Sequence, residues 1–405
     1  MNLRRNPFYL MAGFYLLLDA IALSAQALVL GGVLPPLPDL GWARIHLLTI
    51  GVVVQAILGT LPTLVATKLG GKRPSISVTW TLWLLVNSSF GLLLYSMPDG
   101  FSELAAGAAI GIFAAVVLLL ATLHWQGACS VRNTYVGLRF YMAAPLFFLF
   151  GIVMAMSMLL NWPAPGQFFG LLEAHVHANV WGFLALIVAG FLLEHIPAYA
   201  NRPLRWSTLV PATFWFLTVG AAGLVAGPWL GLLPVTMLGI VIYVIGTSLL
   251  LSNLIGTLLP SHSLTPNIAH LVIAYLWMMV PAFVAPIILA LTGHLPTGRI
   301  EEAAVSGLVA GWILQIVIGA FPLRLREVQQ RSTGHDGWWL SVVILNVGVL
   351  SVWISAFVPA FTSSLSLMAL GYTCVVIGCL LPLTTILKRL LGNRQMSVAD
   401  ASNNG

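Results

Sequence analysis

Apolar runs of about 20 residues recur along the whole chain, and no other feature of the sequence restricts its fold as strongly. A run of that length can cross the hydrocarbon core of a bilayer as a helix. Twelve such runs lie between residues 8 and 388. The amino-acid composition agrees, since 59% of the residues are hydrophobic and only 7% are charged. The sequence therefore predicts an all-α, polytopic membrane protein with twelve transmembrane helices.

The basic residues predict how these helices are oriented. With the N-terminus in the cytoplasm, all but two of the 17 Lys and Arg residues fall in cytoplasmic segments, the exceptions being Arg44 and Arg299. This asymmetry is the positive-inside bias, so both termini are predicted to be cytoplasmic. The net charge of +6 follows from the same bias, and no nucleic-acid partner is expected. The predicted setting is the lipid bilayer of a prokaryotic inner (cell) membrane.

An internal repeat divides the predicted helices into three groups of four. Each copy has a key residue, a Gly five positions later and a second Gly eight positions beyond; the copies are His46–Gly51–Gly59, His177–Gly182–Gly190 and Ser306–Gly311–Gly319. Their key residues are 131 and 129 residues apart. We predict one transmembrane domain over 1–395, with repeats near 1–133, 134–262 and 263–395. The polar residues 396–405 are predicted to be a disordered C-terminal tail.

An even number of helices in each repeat gives every copy the same orientation in the membrane. The three repeats are therefore predicted to be parallel and related by a pseudo-threefold rotation about the membrane normal. Many secondary transporters use inverted repeats instead.

Histidines inside the predicted helices are the first candidates for chemistry, because ionisable side chains are costly within a bilayer. His46 lies near the outer end of the second helix, and His175 and His177 lie about a third of the way into the sixth. Residues two apart on an α-helix point about 200° apart, so His175 and His177 are predicted to serve sites on opposite flanks of one helix. Polar contacts between helices, without a metal, are the alternative.

Two acidic residues and a fourth histidine complete the set of ionisable candidates. Glu173 is four residues before His177 and is predicted to accept the second N–H of the His177 ring; a Glu–His hydrogen bond without a metal is the alternative. Asp19 lies midway along the first helix, where it is a candidate for a proton relay or a cation site. An interhelix hydrogen bond is the alternative there. His270, at the start of the ninth helix, is predicted to face water or to lie at the helix end.

Four glycines of the first two copies are predicted to allow close packing. Gly51, Gly59, Gly182 and Gly190 leave a flat helix surface, so that a flat macrocycle or another helix can approach the backbone. Ordinary helix packing explains these glycines as well as a cofactor does.

Two segments carry a resemblance to a known family. HVHANVWGFLALIVAGFLLEHIP (175–197) resembles the tenth helix of haem-copper oxidase subunit I, especially in C-type oxidases and nitric oxide reductases. In that family a His-x-His pair binds two haems on opposite sides of the helix. RIHLLTIGVVVQAILG (44–59) is similar to the family's second helix, whose His is an axial ligand of the low-spin haem. The resemblance implies that His46, His175 and His177 bind a cofactor, with haem or copper held by His46 and His177.

Three departures from the family pattern limit what this resemblance implies. By repeat position, the His-x-His helix here is the sixth and not the tenth, and the tenth helix carries Ser306 in place of a histidine. The seventh helix (208–227) lacks the His-His pair that holds copper in true oxidases. A complete oxygen-reducing haem-copper centre is therefore expected to be absent. One haem held between the second and sixth helices by His46 and by either His177 or His175 remains compatible with the sequence, as does a copper ion.

Three functions remain open at this point. The first is a haem- or copper-binding membrane protein, an oxidoreductase if it is an enzyme, engaged in electron transfer or in nitric oxide or oxygen metabolism, with a redox partner or another membrane subunit. The second is a transporter that uses Asp19, Glu173 and the histidines as a cation or proton path. The third is a non-catalytic membrane subunit or sensor.

Overall fold

The computed structural model describes residues 6–98, 100, 102–130, 135–261, 264–293, 296, 298–321, 338–358 and 361–391. Within these ranges every regular element is a helix, and twelve helices are long and apolar enough to cross a membrane. The chain is thus a multi-pass, all-α integral membrane protein, and the predicted number of spans is confirmed. The predicted tail at 396–405 lies outside the described residues.

The twelve spans follow one another through short connections. Their bounds are α1 (Pro7–Leu30), α2 (Leu40–Leu69), α3 (Ile76–Ser96), α4 (Ser102–Ala128), α5 (Gly137–Leu159), α6 (Gln167–Tyr199), α7 (Ser207–Leu230), α8 (Leu233–Leu258), α9 (Pro266–Thr292), α10 (Arg299–Phe321), α11 (Trp339–Phe357) and α12 (Ser363–Ile386). The second span starts at Leu40, about four residues earlier than the hydropathy of the sequence predicts, so that Arg44 lies within its first turns and not at its first residue.

The described residues form two compact units. One comprises the described residues up to Ala56 together with those from Leu264 onward, and the other comprises residues 57–263. In the first unit α1 packs against the start of α2 and against α12, and α9 to α12 pack consecutively. In the second unit α3 to α8 pack consecutively as well. His46 belongs to the first unit, and His175 and His177 belong to the second.

Glycine pairs bring the backbones of neighbouring helices close together. In the second unit a Cβ atom added to Gly223 of α7 would lie 2.8 Å from Cα of Gly239 of α8. In the first unit a Cβ atom on Gly348 of α11 would lie 2.6 Å from the carbonyl oxygen of Gly371 of α12. Lipid gives helices no hydrophobic drive to associate, so small residues that permit close van der Waals contact hold such pairs together.

The three helices that carry the repeat are also the most enclosed. Buried residues make up 67% of the most apolar stretch of α2 and 78% of that of α6 and of α10, against 28–50% in the other nine described spans. Most side chains in these stretches are therefore covered by neighbouring helices. The key residues His46, His177 and Ser306 are half-buried.

Each of these three helices changes from α to π geometry directly after its key residue. The α-helical parts end at His46, His177 and Ser306. The π segments that follow are Leu47–Val54, Ala178–Leu184 and Gly307–Leu314. A π-helix bonds each N–H to the carbonyl five residues back, is rare, and frequently marks a functional site. The sequence did not predict these segments.

Candidate functional site

His177 is held by a backbone carbonyl of the neighbouring helix. Its Nδ1 lies 2.8 Å from the carbonyl oxygen of Leu224 in α7. A carbonyl oxygen can only accept, so Nδ1 carries the hydrogen and Nε2 presents its lone pair. The ring also meets Trp181 edge to face, with centroids 5.0 Å apart. Within the described part of the chain no other hydrogen bond reaches His177.

Proline explains why the Leu224 carbonyl is available. In a regular α-helix this carbonyl would accept the N–H of residue 228, but that residue is Pro228 and has no N–H. The amino-terminal part of α6 also approaches this end of α7 closely, since a Cβ atom on Gly170 would collide with the carbonyl oxygen of Pro228. The carbonyl left without a helical partner is thus satisfied by His177.

His175 is held from the other side of α6. Its Nδ1 lies 2.8 Å from the carbonyl oxygen of Gly151 in α5, so this nitrogen donates as well. The side-chain amide nitrogen of Asn179 lies 3.2 Å from Nδ1 and 3.4 Å from Nε2 of the same ring, and it donates to the His175 carbonyl at 2.8 Å. The two rings therefore contact different neighbouring helices, which agrees with their two-residue spacing.

His46, in the first unit, follows the same pattern within its own helix. Its Nδ1 donates to the carbonyl oxygen of Trp42 at 2.8 Å. The His46 ring stacks on the Trp42 indole, with centroids 4.3 Å apart and an interplanar angle of 28°. In all three candidate histidines Nδ1 is thus the donor, so that a neutral ring has its acceptor at Nε2, the form that ligates metals. Among the described residues there is no group of three or more His, Cys, Asp or Glu that could hold a metal ion.

Glu173 and Asp19 are placed differently from each other. Glu173 is half-buried on α6. Its carboxylate was predicted to accept the second N–H of the His177 ring, but Nδ1 of His177 donates to the Leu224 carbonyl instead. Its place in a proton path stays a prediction. Asp19 is buried in α1 with 4% of its surface exposed, and it makes no hydrogen bond to another described residue.

The repeat glycines of α6 pack against aromatic side chains of α5. A Cβ atom on Gly182 would collide with the ring of Phe147, and one on Gly190 would lie 2.9 Å from Cβ of Phe140. The same arrangement recurs in the first unit, where a Cβ atom on Gly311 would lie 2.8 Å from the Trp277 ring of α9. These contacts correspond to helix packing. Gly51 and Gly59 of α2 are buried.

In the third copy, Ser306 takes part in a cluster that the sequence did not predict. The Ser306 hydroxyl lies 2.7 Å from the Tyr372 hydroxyl of α12. The Arg44 guanidinium lies over the ring of the same tyrosine, 5.0 Å from its centroid, and only 7% of Arg44 is exposed. A signal for Arg44 existed, since it falls between Trp42 and His46 at the start of an apolar run. For Tyr372 we find no such signal.

Of the two alternatives predicted for His270, a position at the helix end agrees with its place near the start of α9, whereas a water-facing side chain is wrong. It is 1% exposed, its Nδ1 lies 2.9 Å from Oε1 of Gln315, and its Nε2 lies 3.3 Å from the Ser341 hydroxyl. Gln315 in turn bonds Asn346, which accepts from the Trp277 indole at 2.6 Å. Polar side chains from α10 and α11 thus cover the first turn of α9, and they lie within hydrogen-bonding distance of both ring nitrogens of His270.

Comparison with known proteins assigns no family to the chain. Neither a scan against models of protein families nor a search of the curated proteins finds a match. The candidate site is therefore defined by the geometry of its own residues.

Proposed function

We propose that the protein binds haem or a copper ion through Nε2 of membrane-embedded histidines, with His177 as the principal ligand, and serves electron transfer or nitric oxide or oxygen metabolism. The observation that supports this is shared by three residues. Nδ1 of His46, His175 and His177 each lies 2.8 Å from a backbone carbonyl oxygen, which leaves Nε2 as the ligating nitrogen. Metal-binding histidines in proteins are usually oriented in this way.

The surroundings of His177 suit such a group. Imidazole nitrogen is a ligand for both iron and copper, and most of the apolar stretch of the helix that carries His177 is buried. A bound haem or copper ion would supply one-electron redox chemistry. The chain would contribute the fixed direction of the ligand through Leu224 and a medium of low dielectric. Electron transfer would also require a redox partner or a further membrane subunit.

The test uses full-length protein purified in detergent from cells supplied with haem and copper. We expect an optical spectrum with a Soret band, or a stoichiometric copper content. His177→Asn is the informative variant, because the asparagine amide nitrogen can replace Nδ1 as donor to Leu224 while Nε2 is lost. It is expected to fold and to lose the metal or cofactor. His124→Ala, at an exposed histidine of α4, is the matched control and is expected to bind as the wild type does.

Two results would contradict this function. The first is colourless, metal-free wild-type protein from replete cells. The second is an unchanged spectrum and metal content in His46→Asn, His175→Asn and His177→Asn, which would place any bound group elsewhere.

For the architecture we propose three parallel four-helix repeats around a pseudo-threefold axis, with both termini cytoplasmic. The π segments support the division into three similar copies, since all three start one residue after the key residue. Impermeant thiol reagents applied to intact cells test the orientation. The exposed Cys129 should be protected, whereas the substitution Asp39→Cys in the connection between α1 and α2 should create a reactive thiol. The reverse pattern would overturn the proposed orientation.

A further inference from the structure

A small cavity in the first unit lies beside the carboxyl group of Asp19. Its volume is about 20 Å³, and it is lined by residues of α1, α10 and α12, among them Leu16, Leu314 and Cys379. Asp19 Oδ1 is buried and has no hydrogen-bond partner among the described residues. A cavity of about 10–15 Å³ is enough for one water molecule. The cavity can therefore hold one water, beside a carboxyl group that needs a partner.

The lining of the cavity decides which ligand it can take. Na⁺, K⁺ and divalent cations need several oxygen ligands, and of the cavity-lining side chains only Asp19 offers oxygen. The other polar lining group is the thiol of Cys379, a weak donor and acceptor. Such a site fits a water molecule and a proton, and it does not fit a metal cation.

The charges around Asp19 allow two states of its carboxyl group. The Arg44 guanidinium of α2 attracts the carboxylate electrostatically, but no salt bridge joins the two side chains in the described part of the chain. Arg44 Nε is itself buried without a hydrogen-bond partner among the described residues. On α12 the titratable neighbour of Asp19 is Cys379, and α10 contributes apolar side chains to the cavity. Tyr15, four residues before Asp19 on α1, is buried. Burial opposes the charged form, whereas Arg44 favours it.

We propose that Asp19 is a reversible proton-binding group within the membrane, and that one water in the cavity beside it bonds the carboxyl group and the Cys379 thiol. The proposal goes beyond haem or copper binding and does not depend on it. The proton adds to a carboxylate oxygen to give the neutral acid, and on release it leaves an anion compensated by Arg44. The carboxyl group can thus take up and release one proton.

Dicyclohexylcarbodiimide tests this on the full-length protein in detergent. This apolar reagent reacts with protonated carboxyl groups in apolar sites. The acid proton moves to a carbodiimide nitrogen, the carboxylate oxygen bonds the central carbon, and the acyl group then migrates from oxygen to nitrogen to form a stable N-acylurea. No atom is lost, so the modified peptide gains the mass of the reagent. We expect mass spectrometry to locate the adduct on Asp19, with labelling that falls as the pH rises.

Four variants extend the test. Asp19→Asn is expected to abolish the label, whereas Asp39→Asn, at an exposed carboxylate in a connection, is expected to leave it unchanged. Arg44→Gln removes the charge that favours the anion and is expected to raise labelling at neutral pH severalfold. Cys379→Val removes the second partner of the water and is expected to weaken the infrared band of a bound water that the wild type shows and Asp19→Asn lacks.

The possible outcomes test proton binding at Asp19 and the role of the water separately. Absence of an adduct on Asp19 in wild-type protein, or labelling that is the same from acid to alkaline pH, overturns proton binding at this residue. Peptide mapping of the wild type alone gives this answer even if Asp19→Asn does not fold. Absence of a bound-water band that depends on Asp19 overturns the role of the water. None of these results bears on haem or copper, so the two proposals fail independently.

Discussion

Nδ1 of His177 donates to the carbonyl oxygen of Leu224 at 2.8 Å, and Pro228, four residues beyond Leu224, is the reason that this carbonyl is free to accept. A proline on α7 thereby sets the tautomer of a histidine on α6. The helix gives up one internal hydrogen bond, and the bond to His177 takes its place. This link between Pro228 and His177 can be tested directly.

Pro228→Ala should restore an N–H that competes with His177 for the Leu224 carbonyl. We expect the ring to lose its fixed tautomer and the haem or copper content to fall severalfold, while the stability of the fold is kept or raised, because alanine is favoured over proline inside a helix by about 3 kcal/mol. Nitrogen NMR of the His177 ring and metal analysis are the measurements. Pro145→Ala, at the internal proline of α5, is the control and should change neither. An unchanged His177 resonance in Pro228→Ala would contradict the link.

Gly182→Ala is expected to destabilise the second unit, because its Cβ atom would collide with the Phe147 ring. Overpacking of this kind costs about 1–3 kcal/mol. Thermal unfolding in detergent measures it, and Phe147→Val in the same background should recover part of the loss. Gly107→Ala in α4 is the matched control: nothing lies within 4 Å of its added Cβ atom, so that variant should be neutral or slightly more stable. Equal effects of both glycine substitutions would show that Phe147 does not pack as described.

The hydrogen bond between Ser306 and Tyr372 is open to a double-mutant cycle. Ser306→Ala and Tyr372→Phe should each lower the free energy of unfolding, and the double variant should lose less than the sum, by about 0.5–1.5 kcal/mol, because the two hydroxyls bond each other at 2.7 Å. Chemical denaturation in mixed micelles is the measurement. Strictly additive losses would mean that the two hydroxyls do not interact.

Ser341→Ala should destabilise the first unit by about 1–3 kcal/mol, because it removes a neighbour of Nε2 of the buried His270. Ser88→Ala is the control, since the exposed Ser88 hydroxyl donates to the Leu84 carbonyl of its own helix. It should change stability by less than about 0.5 kcal/mol. Loss of stability in Ser88→Ala but not in Ser341→Ala would contradict the buried network around His270.

The twelve helices could be predicted because hydropathy over about 20 residues is a property of each segment alone. The contacts of single residues could not. Arg44 was counted only as a basic residue outside the cytoplasmic segments, whereas in the fold its guanidinium lies over the Tyr372 ring. His270 was predicted to face water or to lie at the helix end, and the partners that bury it, Gln315 and Ser341, are 45 and 71 residues away in the chain.

The histidines were found from sequence because ionisable residues stand out in apolar runs. Their tautomers could not be predicted, because they depend on which backbone carbonyl accepts from Nδ1, and the sequence does not show this. Leu224 is the exception, because Pro228 four residues later leaves its carbonyl without a helical partner. The sharing of one haem by His46 and His177, suggested by the resemblance to oxidases, stays a prediction.

The π segments after His46, His177 and Ser306 have a consequence for reading these helices on a helical wheel. A π turn accommodates one residue more than the hydrogen-bonding of an α-helix does, so the stretch beyond it is out of phase with the stretch before it by about one residue, or about 100°. A wheel drawn through the whole of α2, α6 or α10 therefore puts residues on the wrong side. Two wheels, joined at the π segment, are needed to design substitutions on these helices.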